Sequence, residues 1–325
     1  MITTRTPFRI SFAGGGTDLP AFYHREAGAV VSTAIKKYMY VTVNRRFDSS
    51  IRVSYSHTEI VSTPHEIQHP IVREALKMTG IDGGIEIVSI ADIPSGTGLG
   101  SSSSFTVGLL NALYAYKGVL KSAEELAARA CQVEMDILGE PIGKQDQYIA
   151  AHGGLCHLQF NTDDSVFINP IIWKNMFKEP LEKSILLLYT GESRHARTIL
   201  AEQSANVSKS EKFRSLQKMR DQAEQMRRCF IESADPKEIG HLLHEGWLLK
   251  KDLAGGISNS TIDAAYEKAL DAGAYGGKVS GAGGGGFLIL VVPPEKRQMV
   301  RQSLNHLQEM DFAFEPEGSK IIYVI

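Results

Sequence analysis

The chain has 325 residues, of which 43% are hydrophobic and 22% charged, with a formal net charge of -2 from 35 basic and 37 acidic side chains. That length can bury a large core in two domains or one large one, and the composition is that of an ordinary soluble globular protein. The balanced charge excludes general polyanion binding as a default, so no nucleic-acid partner is expected and any phosphate site must be local.

In chain order, the first hundred residues read as β-rich. Residues 38–46 (YMYVTVNRR) and 51–56 (IRVSYS) alternate β-branched and aromatic residues, and 84–90 (GIEIVSI) predicts another strand. Between them, 69–80 (HPIVREALKMTG) predicts a short helix stopped by glycine. From Leu99 to about Ala151 the pattern turns helical. There Ser122, with Glu125 three residues on, has the form of a capping box, and the helix it opens should close at Gly139, just before Pro141. Residues 153–160 and 183–190 read as buried strands. A long helical region starts near Ser193, in which Leu216, Met219, Ala223, Met226 and Phe230 recur at alternating spacings of three and four, one apolar face for the core. Helices over 239–252 and near 295–309, the strand GFLILVV and a last strand SKIIYVI complete an α+β tail. A domain boundary falls between 160 and 190, dividing the chain into 1–180 and 181–325.

Cys131, Cys156 and Cys229 are far apart and form no CxxC pair, which speaks against a disulfide framework or a cysteine zinc site. The ten histidines show no HExxH spacing, and none is assigned to a metal. The segment MITTRTPFRISF lacks the apolar core of a signal peptide, and FLILVV is far too short to span a bilayer. A cytoplasmic protein without a membrane partner is expected.

Glycine is dense in three places: FAGGGTD (12–18), PSGTGLGSSSS (94–104) and GGKVSGAGGGGF (276–287). The middle one is not a flexible linker, because Ile90 and Ile93 precede it and the helix-compatible FTVGLLNALYAY follows. Its serines therefore sit at a helix N-terminus, where unpaired amides and the positive end of the dipole suit phosphate. Glycine lets the backbone approach such a ligand, and serine hydroxyls can bind magnesium or phosphate oxygens. The loop is neither a Walker A motif nor a Rossmann fingerprint, since Gly96, Gly98 and Gly100 are spaced GxGxG. The third region matches GxGxxG at Gly281, Gly283 and Gly286, but a strand follows it, so it reads as a turn packed against the nucleotide or the neighbouring loop. Phosphoryl transfer also needs carboxylates for a metal and for the attacking hydroxyl. Glu134 and Asp146 lie in largely apolar surroundings after the serine loop, and Asp136 competes with Glu134 on spacing alone.

These segments together resemble the GHMP kinase superfamily, the galactokinase, homoserine kinase, mevalonate kinase and phosphomevalonate kinase group. PSGTGLGSSSS resembles its phosphate-binding motif, TPFRISFAGGGTD its N-terminal sugar-kinase motif, KVSGAGGGGF its third motif, and VEMDILGEPIGKQDQ the segment with the metal carboxylate and the base. The resemblance implies an α+β fold of two domains, the first like ribosomal protein S5 domain 2 and the second ferredoxin-like, with the site in the cleft between them. It implies ATP and Mg²⁺ as cofactors. Pro94, Gly96, Gly98, Leu99, Gly100, Ser101, Ser102 and Ser103 then bind the nucleotide, while Ser104 starts the packed helix. Ser102 and Glu134 bind the metal, which settles the choice against Asp136. Asp146 is the base, supported by Arg9. Gly16, Thr17 and Asp18, with Gly281 and Gly283, fall to the substrate side, Asp18 binding a sugar hydroxyl.

Galactokinases carry a Glu-His pair where Gly15 and Gly16 stand here, so the galactose contacts are missing and the small residues should leave room for another sugar. Within the superfamily, RTPFRISFAGGGTDLPAFY with GAVVSTAIKKYMYV most closely resembles the D-glycero-D-manno-heptose 7-phosphate kinases. That implies phosphorylation of the anomeric hydroxyl of a sugar phosphate by a monomer or homodimer. The alternatives are a kinase for a free sugar such as L-fucose and a non-catalytic nucleotide-binding regulator, against which Ser102, Glu134 and Asp146 argue. A phosphosugar needs a second anion site. Lys36 and Lys37, or Arg194, His195 and Arg197 in GESRHARTIL, are the candidates, against a solvated basic helix start.

Overall fold

The computed structural model describes residues 1–191 and 196–325. The chain opens with strand β1 (Ile2–Ala13), a short helix α1 (Pro20–Tyr23) and the long strand β2 (Gly28–Arg45), which runs antiparallel to β1 from Ile2↔Val43 to Ala13↔Val31. β2 begins ten residues before the segment that alternation marks as a strand. Its N-terminal part, GAVVSTAI, is buried on both faces, so a half-buried period of two cannot show there. Strands β3 (Ile51–Ser54) and β4 (Thr58–Val61) form a hairpin, and helix α2 (Pro70–Thr79) ends in a left-handed Gly80, as the glycine stop predicts. Strand β5 (Ile85–Ala91) pairs antiparallel with the second half of β2 and parallel with β3.

Helix α3 (Ser101–Tyr116) is buried on every side from Ser103 to Leu113, as expected for a helix apolar all round. It lies against β1 so closely that Thr4 Oγ1 donates to the Gly108 carbonyl at 2.9 Å, and a Cβ at Gly108 would come within 2.7 Å of Thr6 Oγ1. Helix α4 (Ala123–Cys131) has the full capping box between Ser122 and Glu125. Instead of running on to Gly139 as an α-helix, the chain widens into a π-helix at Gln132–Ile137. Such widening concentrates at functional sites. After helix α5 (Gln145–His152) come strands β6 (Leu155–Phe160) and β7 (Val166–Pro170) and helix α6 (Asn175–Ser184).

The remaining elements are strand β8 (Ile185–Tyr189), helices α7 (Ala196–Asn206), α8 (Ser210–Glu232), α9 (Pro236–Lys251) and α10 (Ser260–Asp271), strands β9 (Gly276–Val279) and β10 (Phe287–Val291), helix α11 (Arg297–Ser303), and strands β11 (Gln308–Met310) and β12 (Lys320–Val324). The helix expected over 295–309 is thus a short helix that gives way to β11. Among the described residues the strands make two sheets. One has eight strands, in the order β12-β1-β2-β5-β3-β4 with β6 and β7 joined to β2; the other is antiparallel, β11-β8-β10-β9.

In the second sheet, β8, β9 and β10 are buried on both faces, while the edge strand β11 is largely exposed. Ile185, Leu187, Phe287 and Ile289 face one core and Leu186, Leu188, Leu288 and Leu290 the other, the period of two expected of strands. α8 bridges these cores, with Leu216 and Met219 in the second and Ala223, Met226 and Phe230 in the first. Phe230 meets Phe12 of β1 edge-on at 5.1 Å between ring centres. A division at 180 does not follow the sheets, because β12 returns to pair with β1 and its neighbour Ser319 bonds back to Thr6. No described helix is long and apolar enough to cross a membrane.

The α8 stripe gives a direct test. Met226→Ala should lower stability in urea unfolding by about 2–5 kcal/mol by opening a cavity, while Arg228→Ala on the outer face should change it by under about 0.5 kcal/mol. Equal effects would show that the stripe does not hold the cores together.

Candidate active site

The serine loop is a chain of left-handed glycines: Gly96, Gly98 and Gly100 have φ of 79°, 81° and 78°. Gly98 is crossed by the third glycine-rich segment. Ser280 Oγ donates to its carbonyl at 2.7 Å, and a Cβ at Gly98 would lie 2.6 Å from the Ser280 carbonyl oxygen. A Cβ at Gly281 would lie 2.7 Å from Gly98 Cα. The third segment is therefore a turn packed on the neighbouring loop. Ser101 begins α3 directly after Gly100, and Ser104 is tied down by donating to the Pro7 carbonyl at 2.8 Å.

Arg9 of β1 is 4% exposed, and each of its three guanidinium nitrogens makes a hydrogen bond. Its Nε donates to Asp146 Oδ1 at 2.7 Å and its Nη2 to Asp146 Oδ2 at 2.6 Å, a bidentate pair, while Nη1 donates to the Gly98 carbonyl at 2.6 Å. Asp146 lies in the first turn of α5. Gly100 must lack a side chain here, since a Cβ would stand 3.2 Å from both Arg9 Cγ and Asp146 Oδ2.

Glu134 lies in the π-helical turn, 1% exposed. Its Oε1 accepts from Ser102 Oγ and its Oε2 from Gln147 Nε2, both at 2.7 Å. Burial pushes its pKa up against the lowering effect of these hydrogen bonds. No lysine or arginine pairs with it among the described residues. A buried carboxylate beside a hydroxyl, without a cationic partner, fits a hard divalent cation that takes oxygen ligands and keeps the rest of its shell from water and phosphate. The described residues hold no cluster of three or more acidic, histidine or cysteine side chains that could hold a metal ion.

Asp18 Oδ1 accepts from the Gly16 amide at 2.9 Å and Oδ2 from the Gln145 amide at 3.4 Å. Burial, with a further push from the charge of Asp146, raises its pKa. These groups share one cleft of about 280 Å³, which contains Arg9, Gly16, Asp18, Gly96, Gly98, Gly100, Ser101, Ser102, Ser103, Glu134, Asp146, Arg197 and Gly281. Pro94, Leu99, Thr17, Gly283 and Lys36 do not line it. Leu99 is buried and presents its carbonyl to the Arg9 amide. Thr17 is turned away, its hydroxyl donating to the Gly14 and Ala29 carbonyls. Gly283 packs on Ile257, and Lys36 is exposed on β2. Arg197 is largely exposed and faces Glu140 at 3.6 Å. Arg194 and His195 lie outside the described residues.

The space expected at Gly16 is not open: a Cβ there would lie 2.2 Å from Nε2 of Gln203 on α7. Gln203 and Lys250 line the cleft and have no motif to announce them. Their signal is positional, a polar residue on the buried stripe: Gln203 follows Ile199 by four, and Lys250 follows Leu243 and Trp247 at spacings of four and three. Lys250 Nζ donates to the Gly281 carbonyl at 2.5 Å, and burial pulls its pKa down to about 8, partly opposed by the negative charge of Asp18. Lys278 on β9 is buried beside it and is pulled well below the ordinary lysine value, by burial first and then by the charge of Lys250.

Family models match two parts of the chain: GHMP kinases N terminal domain over residues 68–154 and GHMP kinases C terminal over 223–307. A Campylobacter jejuni D-glycero-alpha-D-manno-heptose 7-phosphate kinase is 30% identical over 98% of this chain and 98% of its own. The L-fucokinase/L-fucose-1-P guanylyltransferase of Bacteroides fragilis is 30% identical over 86% of this chain and 33% of its own. A solved D-glycero-D-manno-heptose 1-phosphate kinase from Bacteroides thetaiotaomicron superposes over 100% of both chains with a TM-score of 0.83 at 25% identity.

Lys250 makes stability depend on pH. A lysine whose pKa falls on folding costs stability while protonated. That cost is fully present below about 8 and fades as pH rises toward the ordinary value of 10.5, because over that window the unfolded chain binds the extra proton. The stability of Lys250→Met relative to the parent should therefore shrink by about 1–3 kcal/mol between pH 7 and pH 10. Urea midpoints at the two pH values measure it, and a difference independent of pH would contradict the assignment.

Proposed function

This chain belongs to the GHMP kinases, and on that premise we propose that it transfers the terminal phosphoryl group of ATP to the anomeric (C1) hydroxyl of a sugar phosphate, D-glycero-D-manno-heptose 7-phosphate. The observation that carries the reaction type is the convergence in one cleft of the Arg9–Asp146 pair, the Ser102–Glu134 pair and the glycine-serine loop at the start of α3. The choice of sugar is supported by the near full-length similarity to the heptose 7-phosphate kinase.

In this reading the first amides of α3 hold the phosphates. Ser102 and Glu134 would hold Mg²⁺, which when bound neutralises phosphate charge. Arg9 fixes both oxygens of Asp146, and each still has a lone pair for the acceptor hydroxyl. Asp146 orients that hydroxyl or takes its proton, and positioning and charge supply the rest of the acceleration. Asp18 binds a hydroxyl of the sugar, and Arg194 with Arg197 binds its phosphate. A free sugar such as L-fucose, phosphorylated at the same carbon, is the second reading, favoured by the fucokinase relative.

An ADP-release assay over heptose 7-phosphate, the free heptose, L-fucose and galactose decides between them. Heptose 7-phosphate should give the highest kcat/KM; L-fucose in first place would move the assignment to the free sugar, and no turnover on any would remove the kinase reading. Asp146→Asn should reduce turnover by about 10²-fold or more with ATP binding nearly intact. Near-normal turnover in that variant eliminates Asp146 as the base. Replacing Arg194 and Arg197 together by alanine should raise KM for the sugar phosphate and leave KM for the free sugar unchanged; an unchanged KM for both clears these arginines of phosphate binding.

A further inference from the structure

At position 16, where the chain has glycine, the end of the Gln203 side chain occupies the place a Cβ would take. Gly16 has φ of +105°, and a Cβ there would meet Gln203 Nε2 at 2.2 Å and Leu216 Cδ2 at 3.2 Å. Gln203 is 2% exposed, and its Nε2 is buried without a hydrogen-bond partner among the described residues. Gln145 is its counterpart. Its Oε1 is likewise buried and unpartnered, and its Nε2 lies 3.8 Å from where a Cβ on Gly15 would be. Both side chains line the cleft that contains Asp18 and Asp146.

Buried amide groups without partners are rare and costly, and here one orphan is a donor and the other an acceptor. A sugar hydroxyl is both donor and acceptor, so hydroxyls can satisfy the two together. A fully ionised phosphate cannot satisfy both, because its oxygens only accept and Gln145 Oε1 needs a donor. We propose that Gln203 and Gln145 are specificity-determining residues that read hydroxyls of the sugar, Gln203 Nε2 donating to one hydroxyl oxygen and Gln145 Oε1 accepting from a hydroxyl proton. The proposal rests on the sugar-kinase reading above and extends it. Recognition lost from the side chains of the first glycine loop is supplied by α7 and by the residue preceding Asp146.

Steady-state kinetics on the full chain test it with two sugars that share hydroxyls, heptose 7-phosphate and the free heptose. Gln203→Leu and Gln145→Leu keep much of the volume and remove the polar atoms. Each should raise KM for both sugars by about tenfold, the loss of one hydrogen bond to substrate, without lowering the melting midpoint. Gln203→Glu keeps the shape and turns the donor into an acceptor, so it should raise KM at least as far even if the leucine variant folds poorly. Unchanged KM in folded variants would reduce both residues to space-filling and overturn the proposal. A rise confined to the phosphorylated sugar would also overturn it, by moving the contact to the phosphate. A parent enzyme that phosphorylates no sugar removes the reading beneath it, an outcome visible before any variant is made.

Discussion

The cleft depends on one buried cation. Arg9 leaves β1 with its guanidinium out of water, and a charge in that position is tolerated only when it is paired and hydrogen-bonded. The three bonds it makes come from different parts of the chain: two from Asp146 on α5 and one from the Gly98 carbonyl in the serine loop. Its amide adds a fourth tie, to the Leu99 carbonyl. The strand, the serine loop and the Asp146 carboxylate are thus registered against one another by a single residue. The glycines follow from this: a side chain at position 100 would intrude on Arg9 and Asp146, and one at position 98 on the backbone at Ser280.

Around that cation the ionisable groups are pushed toward neutrality from both sides. Burial raises Asp18 and Glu134 and lowers Lys250 and Lys278. A protein built only for stability gains little from burying so many charges. Asp18, Glu134 and Lys250 line one cleft, and opposed shifts in one cleft suit a site whose charge balance is completed by ligands. Glu134 suits an entering cation. Lys250 shares its cleft with Asp18 and Asp146, and its ammonium is already committed to the Gly281 carbonyl, so it joins the third glycine turn to the acceptor side.

Local chemistry was legible in the sequence where one segment decides it alone. The capping box at Ser122, the glycine stop of α2, the apolar stripe of α8 and the serine loop at the head of α3 all needed only neighbouring residues. What escaped depends on partners far along the chain. The pairing of β12 with β1 crosses some three hundred residues, and nothing in KIIYV names its neighbour. The π-helical turn that carries Glu134 has the same residue pattern as the α-helix expected there. Gln203 and Lys250 belong to no motif, and only the fold shows that their stripes face inward. The room anticipated at Gly16 failed for the same reason, since the residue that fills it lies 187 positions away, from 16 to 203.

The two sides of the cleft are therefore built on different physical terms. The side that the proposed reading gives to the phosphates is made by backbone, crossed glycine turns, helix amides and one arginine, and side chains added at Gly98, Gly281, Gly283 or Gly286 would collide with main chain. The side that the proposed reading gives to the acceptor is made by side chains, Asp18, Gln145, Gln203 and Lys250, two of them carried on helices of the second half of the chain. Close backbone contacts leave little freedom to change, because main chain cannot move aside without disturbing Arg9. Side chains on α7 and α9 meet the cleft through their own atoms, so a change there leaves the crossed glycine turns themselves in place. A fold divided in this way can keep one phosphoryl-transfer apparatus while its acceptor changes, and Gly16 with Gln203 is the place in this chain where that division is drawn.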